Sequence, residues 1–181
     1  MLIRPYARED WDSVWRILEP VFRAGETYPV PRDISADDAR EAWTSGAKQV
    51  FVAVDESSGV LLGTYYLRPN FEGAASHICN CGYVVAEAAR GRGIAARMCE
   101  HSQAEAIARG YRAMQYNLVV STNDSAVHLW QKMGFTIVGT IPDAFSHPRH
   151  GFVAAQVMYK RLRNDDGCSL YTQKAHNRIQ S

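Results

Sequence analysis

Apolar and polar positions follow two different rhythms along the chain. Near the N-terminus, Trp11, Val14, Trp15 and Leu18 recur every three to four positions, the spacing of a helix with one buried face. Leu2 to Tyr6 before it predicts a short strand, and Pro20 is expected to kink or end the helix. Two prolines make Gly25 to Pro31 a loop. Ser35, with Asp38 three positions on, predicts the start of a second helix that ends near Gly46. From Val50 the rhythm changes to that of strands. VFVAVD and VLLGTYYLRP, separated by Glu56-Ser57-Ser58-Gly59, predict an antiparallel hairpin.

A third strand is expected from His77 to about Ala86, then a helix to about Arg109 that Gly110 stops. Met114 to Val120 reads as a strand and Asn123 to about Met133 as a helix. Phe135 to Thr140 reads as another strand. After a loop containing proline and histidines, Gly151 to Lys160 is the last. The order β-α-α-β-β-β-α-β-α-β-β predicts one α/β domain over residues 1–162, a mixed sheet with helices on both faces. His77–Ala86, its helix and Met114–Val120 make a βαβ unit. Residues 163–181 read as a polar tail.

Composition narrows the function classes. The 181 residues carry 20 basic and 19 acidic side chains, a net charge of +1, so no global field points to nucleic acid or membrane. No segment reaches the ~20 apolar residues of a membrane helix, and the N-terminus has no secretory pattern. Cys79, Cys81, Cys99 and Cys168 lack metal or disulfide spacing, so no metal is expected and the reading is a cytoplasmic protein with free thiols.

The stretch Ala89-Arg90-Gly91-Arg92-Gly93-Ile94-Ala95-Ala96 opens a helix on two glycines flanked by arginines. The first amides of a helix lack intrahelical partners, and the helix dipole adds positive character there. Gly91 and Gly93 let a ligand approach those amides, while Arg90 and Arg92 add charge, which together suit a diphosphate. A tight turn into a surface helix remains an alternative. The dinucleotide pattern G-x-G-x-x-A is matched formally, but too little chain follows for that fold. A phosphate loop of the Walker type fails for want of Lys-Ser or Lys-Thr.

Arg90 to Ala95 resembles the R/Q-x-x-G-x-G/A signature of the GNAT family of acetyl-CoA-dependent N-acetyltransferases. Asn123, Ala126, Leu129 and Gly134-Phe135 resemble that family's second segment. The resemblance implies a splayed six- to seven-stranded sheet and acetyl-CoA as cosubstrate. It places Gly82, Val84 and Val85 along the pantetheine arm, with an amide near Val84 polarising the acetyl carbonyl. Gly91 to Ala96, including Ile94 and Ala95, would hold the diphosphate, and Asn123, Ala126, Trp130 and Lys132 would complete the cofactor site. Trp130 stands where many members carry an acidic tyrosine, and an indole cannot donate a proton at neutral pH.

The strand before the cradle, His77-Ile78-Cys79-Asn80-Cys81-Gly82-Tyr83, holds no carboxylate to serve as a base. A lysine amine of pKa ~10.4 needs such a base far more than an α-amine near ~8. Glu26, in the loop with Thr27 and Tyr28, is the remaining carboxylate candidate near the acceptor, and His77 is a candidate there too. Asn80 and Asn117 lie inside the strands expected to splay. LRPN…SHICNCGYVV together with YNLVVSTN resembles the L-azetidine-2-carboxylate N-acetyltransferases of fungi and their bacterial relatives. In that group, asparagines matching Asn80 and Asn117 orient a small amino acid.

The expected function is therefore acetyl transfer to a small amino acid, an analogue or a related amine. The alternatives are a protein N-terminal or lysine acetyltransferase, and a module that binds acyl-CoA without turnover. A homodimer is a further expectation from the resemblance.

Overall fold

In the computed structural model, which describes residues 1–162, eleven main elements build one seven-stranded sheet. They are β1 (Leu2–Pro5), α1 (Trp11–Ala24), α2 (Ala36–Thr44), β2 (Gln49–Val54), β3 (Leu61–Pro69) and β4 (Ile78–Val85), followed by α3 (Ile94–Ala108), β5 (Ala113–Val120), α4 (Asp124–Lys132), β6 (Thr136–His147) and β7 (Gly151–Arg161). The strands lie in the order β1-β2-β3-β4-β5-β7-β6. The expected tail at 163–181, with Cys168, lies outside the described residues.

Period-two alternation sends successive strand residues to two separate cores. Val50 and Val52 of β2 pack with Val14, Leu18, Phe22 and Trp43 from α1 and α2. Phe51 and Ala53 face the other way, with Tyr65, Leu67, Cys79 and Cys81, against Ile94 and Met98 of α3 and Trp130 of α4. Cys79, Cys81 and Cys99 are buried free thiols within that second core. Helices thus cover both faces, as the sequence pattern predicts.

Two expectations need correction. Helix α1 runs through Pro20 to Ala24 without ending there. Proline removes one helical donor, but Phe22, a turn beyond Leu18 on the same face, is 2% exposed, and its burial keeps the last turn in place. The proline- and histidine-containing stretch before β7 is strand rather than loop: β6 continues through Pro142 to His147. Its position at the sheet edge tolerates a residue with no N–H. Irregular register at Ile137/Gly139 and Ile141/Phe145, with Asp143 at φ 50°, absorbs the distortion.

The feature that positions the site is the junction of β4 and β5. These parallel strands pair only at Ile78 with Ala113 and Cys79 with Met114, and then diverge. Both strands continue to Val85 and Val120. A wedge therefore opens in the middle of the sheet, toward the C-terminal ends of β4 and β5.

Candidate active site

The edge of β4 that faces the wedge can be read from its pairing with β3. Ala86 donates its N–H to Leu62 O, and Asn70 donates to Ile78 O. In an antiparallel ladder, alternate residues share a direction, so 78, 80, 82, 84 and 86 bond to β3. The backbone groups of Cys81, Tyr83 and Val85 consequently face the wedge. The Val84 amide expected there belongs to the ladder opposite Thr64, and that expectation moves by one residue to its neighbours. One wedge-facing acceptor is already taken: Tyr28 donates its hydroxyl to Tyr83 O at 3.0 Å. Burial pushes the Tyr28 hydroxyl well above its ordinary pKa, so it remains a neutral donor. The loop holding Glu26, Thr27 and Tyr28 is thereby tied to the wedge.

Gly82 is also needed for a different reason from the one expected. A Cβ at this position would lie 2.6 Å from the Tyr66 ring across β3. That ring packs at 5.0 Å, edge on, against Trp43. Gly82 thus makes room for an aromatic side chain on the α1/α2 face of the sheet.

On the opposite face, aromatic rings close the wedge. Tyr83 from β4 and Tyr116 from β5 meet the buried Trp130 at centroid distances of 5.0 and 5.2 Å. The Tyr83 hydroxyl lies 2.7 Å from Ser102 Oγ and 3.1 Å from the Tyr116 hydroxyl. Trp130 is therefore a wedge of packing between the diverging strands, and its indole has no acid chemistry to offer.

At the open end, Gly91 and Gly93 adopt φ 73° and 74°, the left-handed region that glycine enters without a Cβ penalty. Nothing lies within 4 Å of where a Cβ would stand on either. Gly93 caps α3, leaving the amides of Ile94, Ala95 and Ala96 at its start without intrahelical acceptors. Arg90 and Arg92 are exposed beside them, and Arg92 lies 3.7 Å from Asp55. The bared amides and the two guanidinium groups suit a diphosphate. Asn123 caps α4, its side-chain oxygen accepting from the Ala126 N–H at 3.3 Å and from Ser125 Oγ at 3.0 Å. Its amide nitrogen remains as the donor that could reach a ligand. Lys132 is exposed at the end of α4.

At the apex of the wedge, on the α1/α2 face, three side-chain amides bond one another and a fourth joins them through backbone. Gln115 donates its side-chain N–H to Asn117 Oδ1 at 2.9 Å, Asn117 and Asn70 exchange bonds of 2.7 and 3.1 Å, and Asn80 donates to the backbone carbonyl of Gln115 at 2.9 Å. Asn80 and Asn117 are thus brought together as their strand positions predict. Asn70 and Gln115 are the members that the sequence reading missed. The signal existed, since Gln115 and Asn117 share a strand face and Asn70 ends the adjacent LRPN segment.

Two expected acceptor residues do not reach this cluster in the expected way. His77 is exposed at the closed end of the junction, where its carbonyl accepts from the Arg112 N–H. Glu26 forms an ion pair of 2.9 Å with Arg149 in the β6–β7 turn. Its carboxylate thus has a guanidinium partner on the β6–β7 hairpin. This pair links the α1–α2 loop to the far hairpin, where buried His147 accepts the Arg149 N–H on Nδ1.

Comparison with known proteins agrees with this geometry. Residues 11–135 match the model of the Acetyltransferase (GNAT) family. N-acetyltransferase aca1 of Schizosaccharomyces pombe is 31% identical, over 74% of this chain and 71% of that one. A GCN5-related N-acetyltransferase from Kribbella flavida is 37% identical with a TM-score of 0.83, covering 88% of this chain and 96% of its own. A phosphinothricin acetyltransferase from Sinorhizobium meliloti, solved in complex with AcCoA, shares the fold at 19% identity, with a TM-score of 0.78 and coverage of 94% and 96%. The split sheet, the glycine-bared helix start and these matches together place the chain in the GNAT acetyltransferase family, as an acyltransferase.

Proposed function

We propose that the chain transfers the acetyl group of acetyl-CoA to the amine of a small amino acid or a closely related small molecule. The observation that carries the cosubstrate is the wedge: an unpaired strand edge leading to a helix start stripped of side chains. A thioester supplies an electrophilic carbonyl and a thiolate leaving group. The residues of this chain bind, orient and shield it.

In this reading the N–H groups of Tyr83 and Val85 hold the pantetheine arm as a neighbouring strand would. A backbone N–H of this edge aimed at the acetyl oxygen is worth about 3 kcal/mol to the transition state. The amides of Ile94 to Ala96 take the diphosphate, Arg90 and Arg92 steady it, and the Asn123 side-chain N–H meets the arm. Trp130 and Tyr116 form a dry wall behind it. Wedge-facing Tyr83 O already accepts the Tyr28 hydroxyl, which ties the α1–α2 loop to the same edge.

The acceptor enters from the α1/α2 face, where Asn80 and Asn117 orient it. The apex cluster contains no carboxylate, so the chain favours an amine that is neutral often enough without a strong base. An α-amine of pKa ~8 carries a deprotonation deficit of only ~1.4 kcal/mol at pH 7. A thiol of pKa ~8.5 leaves without an acid at small cost, in keeping with Trp130 in the wall. The amide cluster and the resemblance to the azetidine-carboxylate acetyltransferases support a small amino acid over a protein.

Release of CoA thiol from acetyl-CoA tests this, with L-amino acids, L-azetidine-2-carboxylate, lysine-containing peptides and free-N-terminus peptides as acceptors. Turnover of small amino acids is expected; turnover confined to peptides would replace the reading with a protein acetyltransferase. Buried unpaired thiols are in keeping with a cytoplasmic setting. Exposed Val138 and Ile141 on edge strand β6, with Phe152 on β7, support association with a second copy.

A further inference from the structure

Arg68 is anomalous in its surroundings. It sits on β3 directly opposite Asn80 of β4, so the two side chains share the α1/α2 face at the wedge apex. Its Nε is buried and has no hydrogen-bond partner. None of the ion pairs among the described residues involves its guanidinium. A buried N–H donor left unmade is destabilising, and more so when the group is charged. Arg68 as a whole is half-buried, and it is this one donor of its guanidinium that the fold leaves unmade.

A second cation makes the imbalance larger. Lys48, whose Nζ lies 6.0 Å from the Tyr66 ring, has its pKa lowered by burial and then by the charge of Arg68. The two positive side chains therefore sense each other. Asn80 stands opposite Arg68, and the apex groups linked to it are the neutral amides of Gln115, Asn117 and Asn70. The result is a local positive field over a neutral hydrogen-bonding patch, in a chain whose net charge is only +1.

We propose that Arg68 is the specificity determinant for the acceptor: its guanidinium receives the free α-carboxylate of the amino acid at the wedge apex, where Asn80 and Asn117 orient the substrate. This rests on the small-amino-acid reading above and adds to it the group that recognises the acid. The planar fork of a guanidinium matches the two oxygens of a carboxylate, which a primary amide does not. Lys48 contributes field rather than a fixed contact. A carboxylate here also lets the enzyme reject amines that lack one, since such an acceptor would leave the Arg68 N–H unpaired.

The test compares each accepted amino acid with its own carboxamide, on wild-type protein and on Arg68→Gln and Arg68→Lys. Wild type is expected to favour the acid by tenfold or more in kcat/KM. Arg68→Gln should raise KM for the acid by about 10- to 100-fold, the loss of a charge-assisted contact. It should leave KM for acetyl-CoA unchanged and raise kcat/KM for the carboxamide, because the unpaired N–H that penalises it is gone, and Arg68→Lys should recover part of the preference. A preference for the acid that survives in Arg68→Gln overturns the proposal. Should Arg68→Gln not fold, wild-type melting with CoA present decides: the acid must raise the melting temperature more than its carboxamide does, and equal shifts overturn the assignment. If wild type acetylates peptides and no amino acid, the small-amino-acid reading fails first, and the carboxylate site falls with it.

Discussion

Asn117 and Asn70 face each other across the width of β4 and exchange both of their amide bonds, at 2.7 and 3.1 Å. Each holds the other in one orientation, and Gln115 takes the remaining lone pair of Asn117 Oδ1. The pair spans β3 to β5 over the point where the sheet parts. A side chain so constrained presents a substrate with a fixed surface rather than an adaptable one.

Asn117→Ala should therefore lower kcat by about 10- to 100-fold, equivalent to ~1.4–2.7 kcal/mol of transition-state stabilisation, with little change in KM for acetyl-CoA. Steady-state kinetics with both substrates varied checks it. Parallel losses in cofactor affinity and turnover would assign the residue to the scaffold instead.

Gly93→Val places a β-branched residue at φ 74°, a left-handed conformation costing ~1–2 kcal/mol, beside the amides assigned to the diphosphate. CoA affinity measured by calorimetry should fall at least tenfold, while the melting temperature falls by a few degrees. Unchanged affinity would remove the cradle from the mechanism.

Trp130→Ala should cost ~3–5 kcal/mol of stability in urea titration, because it empties the space between Tyr83 and Tyr116. Trp130→Phe should retain most of both stability and turnover. A phenylalanine variant that folds normally but loses turnover by orders of magnitude would return a chemical role to the indole.

Glu26→Gln is expected to leave kcat within about threefold and its pH profile unshifted, since a partly exposed pair with Arg149 is worth ~1 kcal/mol or less. Loss of the acidic limb of the profile, where a carboxylate base becomes protonated, would identify Glu26 as the proton acceptor after all.

Asp10 takes two bonds of 2.7 Å from Arg4, and that contact holds its carboxyl below the ordinary carboxylate range. A depressed folded-state pKa contributes stability above the unfolded value near 3.9, and the contribution disappears as pH falls through the lower folded value. Acid unfolding of Asp10→Asn should show less destabilisation below pH 4 than wild type. Identical acid limbs would show that the pair carries no linkage.

The element order was legible because strong signals agreed with the tertiary environment. Ser35 does accept the Asp38 N–H, and Gly93 does open α3. Pro20 misled because the burial of Phe22 lies beyond any local rule. Edge position and bulging, which let β6 run through Pro142, are properties of the assembled sheet. At the candidate site, Asn80 and Asn117 stand out in the sequence through strand position together with the family resemblance, whereas Asn70 and Arg68 acquire meaning only from register with the neighbouring strand. The direction of each β4 backbone group likewise follows from that register, which is why the wedge-facing amides are those on either side of Val84.

Gly82 and Tyr66 have a shared history open to them rather than two separate ones. The phenol ring fills the volume that a methyl group at 82 would claim, and Trp43 prevents it from stepping aside. Descendants of this chain could acquire alanine at 82 only after the ring had been trimmed, so the order of substitutions is contingent. Reversing such a step would require restoring the glycine before the aromatic residue could return.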